Sequence, residues 1–114
     1  MLSPQLIDAL LQFRRERDWE QFHNPRSLSA ALCVEAAELL DHFRWARDGE
    51  SAEIVEKHRP AIESEIADVA ILLSYLVHDL GISIDEVVSR KLEVNRQKYP
   101  VEKAKGTARK YDQL

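Results

Sequence analysis

Two pairs of acids lie in the most apolar parts of the chain. Glu35 and Glu38 sit in LCVEAAELLDHFRW at 32–45, and Glu65 and Asp68 in AIESEIADVAILLSYLVHDLG at 61–81. Residues three and four apart share one surface of a helix. The first pair therefore belongs to a stripe of Ala31, Glu35, Glu38, His42 and Trp45. It runs beside an apolar stripe of Leu28, Leu32, Ala36, Leu39 and Phe43 that should face a core. The second pair continues through Leu72, Tyr75 and Asp79, at the edge of a face made by Ile62, Ile66, Val69, Leu73, Leu76 and Leu80.

Antiparallel packing of two such helices gathers four carboxylates. Uncompensated, they repel and desolvate at a cost of several kcal/mol. A divalent cation removes the conflict. All-oxygen ligands select a hard ion, Mg²⁺ with Mn²⁺ as the alternative, over zinc. Mg²⁺ keeps positions open for substrate phosphates, and four acids have room for more than one ion, an arrangement suited to phosphoryl chemistry. The competing reading is the ordinary one: acids flanking a core stripe are solvated or paired with Lys and Arg.

The elements that must position these acids are helical. Ser3 and Pro4 form a cap and first-turn pair, predicting a helix over about 4–18. WEQFHNPRS breaks the period, and Pro25 reads as a stop. Ser27 then starts a second helix that ends near Arg47, before DGES. A short helical piece is expected at about 51–58. Pro60 opens a third helix that runs to Leu80 and stops at Gly81. Ser83 and Glu86 form a capping-box pattern for a fourth, ending before Pro100. Residues 101–114 read as an irregular basic tail. With no convincing strand or repeat, the class is all-α in a single domain over 1–114.

The third helix is apolar on most sides, since Ala70, Ile71 and Val77 lie off its main face. A 114-residue chain has little material to surround such a helix, which predicts a homo-oligomer. No apolar run reaches membrane-span length, the N-terminus lacks a signal-peptide pattern, and the lone Cys33 excludes an internal disulfide. Cys33 is expected to be buried and the protein cytoplasmic. The net charge of −4 is uneven. Residues 1–89 carry 8 basic and 17 acidic side chains, and residues 90–114 carry 8 basic and 3 acidic. Overall acidity argues against a nucleic-acid partner, while the basic end suits a phosphorylated small molecule or an acidic neighbouring subunit.

The E-x-x-E of Glu35/Glu38 and the E-x-x-D of Glu65/Asp68 resemble the all-α nucleoside triphosphate pyrophosphohydrolases of the MazG-like superfamily. The flanks RDWEQFHNPRSL at 17–28, ELLDHFRW at 38–45, VNRQKYPV at 94–101 and GTARKYDQL at 106–114 are similar to the dCTP pyrophosphatase branch. The resemblance covers residues 13–114. It implies a four-helix bundle assembled as a homotetramer, a dimer of dimers, with pockets where subunits meet. It also implies Mg²⁺-dependent hydrolysis of a (deoxy)nucleoside triphosphate, dCTP or a modified dCTP, to monophosphate and pyrophosphate. By that pattern Glu35, Glu38, Glu65 and Asp68 are catalytic metal ligands, and Trp19, His23, Arg26 and Trp45 line the nucleotide pocket. Lys91, Asn95 and Arg96 lie in the matching segment near substrate. Trp faces stack on bases, and Arg or Lys hold phosphate oxygens.

Three positions depart from the pattern. Val34 replaces an acid before the first pair, Leu10 a substrate-contacting His, and Leu72 a Tyr in the second metal helix. The last two bear on base and sugar selectivity. The rival readings are a phosphoribosyl-ATP pyrophosphohydrolase, against which Trp19 and Trp45 argue, and a non-catalytic helical oligomer that binds nucleotides without releasing pyrophosphate.

Overall fold

The computed structural model describes residues 1–114, and the chain is all-α, with no strand. Helix α1 covers Pro4–Glu16. Ser3 Oγ accepts the Leu6 N–H at 3.2 Å, and Pro4 takes the first helical position, where a missing N–H costs nothing. Asp18 then turns the chain with φ 54°, a left-handed conformation that Asp tolerates better than most residues. A 3₁₀ turn, Glu20–Phe22, follows.

Helix α2 covers Pro25–Asp41 and differs from expectation at both ends. Pro25 begins the helix instead of stopping one. Asn24 is the cap: its side chain accepts the Ser27 N–H at 2.9 Å, and Ser27 Oγ accepts the Asn24 N–H at 3.0 Å. Ser27 therefore closes a capping box from the third helical position. The regular helix ends at Asp41 instead of near Arg47, and residues 42–45 form turns. Trp45 thereby leaves the acid-bearing line.

Helix α3 covers Ser51–Asp79, with non-helical angles at His58 (φ −118°, ψ 19°). Pro60 has no N–H for the preceding turn and its ring crowds that turn. The two helical pieces expected on either side of this point are thus joined end to end across a kink. Gly81, at φ 64°, supplies the left-handed residue that ends the helix.

The chain divides into two compact units, Leu2–Gly81 and Ile82–Leu114. In the second, α4 covers Ile84–Lys98, with Ser83 Oγ accepting the Glu86 N–H at 3.4 Å. Residues 101–114 are more ordered than their composition predicts. They hold a one-turn helix α5, Val101–Ala104, and a 3₁₀ turn, Tyr111–Gln113. The Tyr111 ring meets Tyr99 edge-on at 6.2 Å, and Lys98 Nζ lies 4.5 Å from its centroid. These contacts hold the basic segment against the end of α4.

In the first unit α2 and α3 pair in opposite chain directions. Glu35 shares a cleft with Asp68, His42 bonds Glu65, and Phe43 shares an apolar hollow with Val55 and Arg59. Leu28, Ile62 and Tyr75 are the buried apolar side chains, a small core for this length. Ile66 and Leu80, assigned to the main apolar face of α3, are half exposed, and Cys33 is exposed instead of buried. One chain simply has too few neighbours to cover these surfaces. No single helix is long and apolar enough to cross a membrane.

Candidate active site

The antiparallel α2–α3 pair brings the four acids within one another's field. The Glu35 carboxyl is held above the ordinary glutamate value. Its hydrogen-bonding contact with Glu38 is the largest cause, then lost solvation, then the charges of Glu38, Asp68 and Glu65. Glu35 Oε2 is sealed from solvent and has no hydrogen-bond partner. On the other helix, His42 Nε2 lies 2.7 Å from Glu65 Oε2, and both side chains are about four-fifths covered.

These side chains do not form a ready-made ligand set: no group of three His, Cys, Asp or Glu is drawn into metal-holding geometry. Yet the donor chemistry fits a hard cation. All four groups are carboxylates, one carries a raised proton affinity caused by its like-charged neighbours, and one buried oxygen lacks any partner. A cation bound among them would supply what each of these features lacks.

From the acids a cleft of about 360 Å³ opens between α1, α2, α3 and the segment joining α1 to α2. Glu35 and Asp68 line one part, while Trp19 and His23 line it from the joining segment. Leu10, Phe13 and Leu72 supply apolar wall, so two of the departures from the family pattern sit in the cleft itself. Trp19 packs edge-on against Phe13 at 5.6 Å but remains 43% exposed, leaving ring surface free for a ligand. A larger hollow of about 540 Å³ on the neighbouring face, lined by Leu39, Leu40, Ile62 and Ile66 among others, is apolar and contains none of the four acids.

A partly buried polar cluster adjoins the cleft through His23 and Tyr75. Arg14, only 5% exposed, donates to Asp79 Oδ2 at 2.9 Å and Oδ1 at 2.8 Å. Its guanidinium stands 4.6 Å from the centroid of Tyr75, whose hydroxyl donates to the Leu10 carbonyl at 2.7 Å. Arg14 Nη1 also lies 3.4 Å from His23 Nδ1, and the His23 ring tilts over Tyr75 at 5.2 Å. The Arg14 hydrogen bonds hold the Asp79 carboxyl below its ordinary value. Burial, and next the Arg14 charge, lower the His23 pKa, against the opposing pull of Asp79. Arg14 escapes a sequence reading because its partner is 65 residues away. The only local signal is the continuation of the acid stripe through Tyr75 and Asp79.

Two further expected site residues of this unit, Arg26 and Trp45, do not line the cleft. Arg26 is exposed in the first turn of α2. Trp45 is 83% exposed, with the Arg44 guanidinium 5.0 Å from its ring, and does not line the cleft. Lys91, Asn95 and Arg96 stand on α4 in the second unit, where Arg96 donates to Glu93 at 3.2 Å.

The chain is 41% identical over 105 residues to dCTP pyrophosphatase 1 of Rattus norvegicus and 39% identical to that of Homo sapiens. In each case the match takes in 90% of this chain but only 62% of the relative. A pyrophosphatase structure from Archaeoglobus fulgidus superposes with a TM-score of 0.81 at 41% identity, covering 84% of this chain and 90% of that one. The MazG-like family model matches residues 30–114, a span that holds both acid pairs. The chain belongs to the MazG-like family.

Proposed function

We propose that the chain is a nucleoside triphosphate pyrophosphohydrolase that converts a deoxynucleoside triphosphate, dCTP or a modified dCTP, to monophosphate and pyrophosphate with Mg²⁺. The observation that carries this reading is the unsatisfied carboxylate cluster at one end of a cleft that also holds an exposed Trp face. The names of the dCTP pyrophosphatase relatives and of the archaeal pyrophosphatase support the same class of activity.

Glu35, Glu38, Glu65 and Asp68 would hold the ion. When bound, Mg²⁺ neutralises the triphosphate and lowers the pKa of the attacking water. A carboxylate of the four takes that water's proton. Trp19 offers a face for the base, and Leu10, Phe13 and Leu72 keep water from that part of the cleft. His42 orients Glu65 through its 2.7 Å contact.

The functional form in this reading is a cytoplasmic homotetramer, a dimer of dimers. Half-exposed Ile66, Leu40 and Leu80 support association, since an oligomer would cover them. Arg26, Trp45, Lys91, Asn95 and Arg96 are proposed to contact substrate in that assembly. Incubating a nucleotide panel with and without Mg²⁺, scored for both monophosphate and pyrophosphate, tests the activity. Binding without pyrophosphate release would support a non-catalytic nucleotide-binding oligomer instead. Light scattering tests the assembly, and a stable, active monomer would overturn it.

A further inference from the structure

The partly buried cluster beside the cleft constrains a proton. Arg carries five N–H donors and no acceptor. Its approach to His23 Nδ1 at 3.4 Å is a hydrogen bond only with Nδ1 as the accepting, unprotonated nitrogen. The proton of the neutral ring then sits on Nε2. At 3.4 Å the bond itself is weak. What enforces the choice is charge, because the other tautomer would aim an N–H at a guanidinium. Arg14 cannot turn away. Asp79 grips it with two bonds, Tyr75 lies against its face, and its side chain is 6% exposed. The charged and titratable groups facing His23 are thus Arg14 from α1 and Tyr75 and Asp79 from α3. Burial, and next the Arg14 charge, lower the His23 pKa against the pull of Asp79 and so favour the neutral ring.

His23 Nε2 has no hydrogen-bond partner within the chain, yet it is not among the sealed, unpartnered atoms, and His23 lines the cleft. We propose that Arg14 is a positioning residue that locks His23 as the Nε2–H tautomer, so that the ring presents one neutral hydrogen-bond donor to the base of the bound nucleotide. This rests on reading the cleft as a triphosphate site. Along α3 Tyr75 stands about 10 Å beyond Asp68 at 1.5 Å per residue, which sets His23 against the base or sugar and away from the phosphates. The ligand atom it meets must be an acceptor, such as a ring carbonyl oxygen or an unprotonated ring nitrogen. A base offering only an amino hydrogen there leaves two donors opposed and is rejected.

The test uses the full chain, nitrogen-detected NMR of His23, and steady-state hydrolysis of dCTP with Mg²⁺. Wild type should show the Nε2–H tautomer at neutral pH; an Nδ1–H signal overturns the proposal without any variant. The double variant Arg14→Met with Asp79→Met leaves no uncompensated charge and should fold. Its His23 should show mixed tautomers, with KM raised up to about tenfold and kcat changed by less than about twofold. Arg14→Lys keeps a donor-only cation beside Nδ1 and should retain the wild-type tautomer. A purely structural role for Arg14 predicts an unchanged His23 signal in the double variant, and that result, or mixed tautomers with unchanged KM, overturns the proposal. A wild-type chain that hydrolyses no triphosphate overturns the reading of the cleft, and the NMR signal then decides the Arg14–His23 geometry alone.

Discussion

Two groups of charges occupy the same edge of α3 and behave in opposite ways. At Glu65 and Asp68 the acids face two more acids from α2, and a buried oxygen goes without a partner. At Asp79, three turns farther on, the acid is matched by a bidentate Arg14. One group has no opposite charge among its four acids, while the other is paired within the chain, although Arg14 Nε there also lacks a partner. Buried charge is therefore treated in two ways here, matched by an opposite charge at Asp79 and left among like charges at Glu35.

The strongest way to break this contrast is to neutralise the like-charged group. Glu38→Gln or Asp68→Asn should remove turnover, since each deletes a charged oxygen while nearly preserving shape. Melting without metal should hold or rise, because repulsion is relieved. Near wild-type turnover at saturating Mg²⁺ would remove the four-acid site. The matched group should respond in the reverse sense. Asp79→Asn strands a buried guanidinium and should cost about 3 kcal/mol of folding stability in denaturant titration, toward the low end for a broken buried pair because Asp79 is 26% exposed.

A smaller effect separates the two tryptophans. Trp19→Ala should weaken nucleotide binding by about 1–3 kcal/mol, the usual value of a base–aromatic stack. Trp45 is 83% exposed, so Trp45→Ala should leave folding stability within about 0.5 kcal/mol. A large loss of melting temperature in the Trp45 variant would show that another subunit buries the ring.

The smallest effects are pH dependences of opposite sign. Glu35 has a raised pKa, so the folded state holds its proton more tightly than the unfolded chain does. That contribution is complete below the ordinary glutamate value and is lost as pH rises through the raised one. Asp79 has a lowered pKa, so its contribution is present above the ordinary aspartate value and lost as pH falls through the lowered one. Thermal melts of Glu35→Gln should lose the first dependence and keep the second. Equal slopes in variant and wild type would detach Glu35 from the cluster.

Much of the candidate site is legible because its signals are local. The three-residue spacing fixed both acid pairs to one helix edge, and the Ser3–Pro4 start and Gly81 stop follow from backbone chemistry that neighbouring residues reveal. The misreadings came from residues with two uses. Pro25 serves equally as a stop or a first helical residue, and only Asn24 before it decides. The end of α2 at Asp41 has no glycine or proline to mark it. The Arg14–Asp79 pair was hidden for a different reason: the apolar context that makes it valuable is assembled by tertiary packing.

That pair also closes a long span of chain. His42 and Glu65 bridge 23 residues, whereas Arg14 and Asp79 bridge 65, as do Leu10 and Tyr75. Loop-closure entropy makes the longer span costlier by about 0.9 kcal/mol. The α2–α3 hairpin, carrying all four acids, is thus favoured to form first, with α1 docking onto it afterwards. By loop closure alone the acids would come together before the wall that holds Arg14, an order that φ-value analysis of α1 and α3 variants would check.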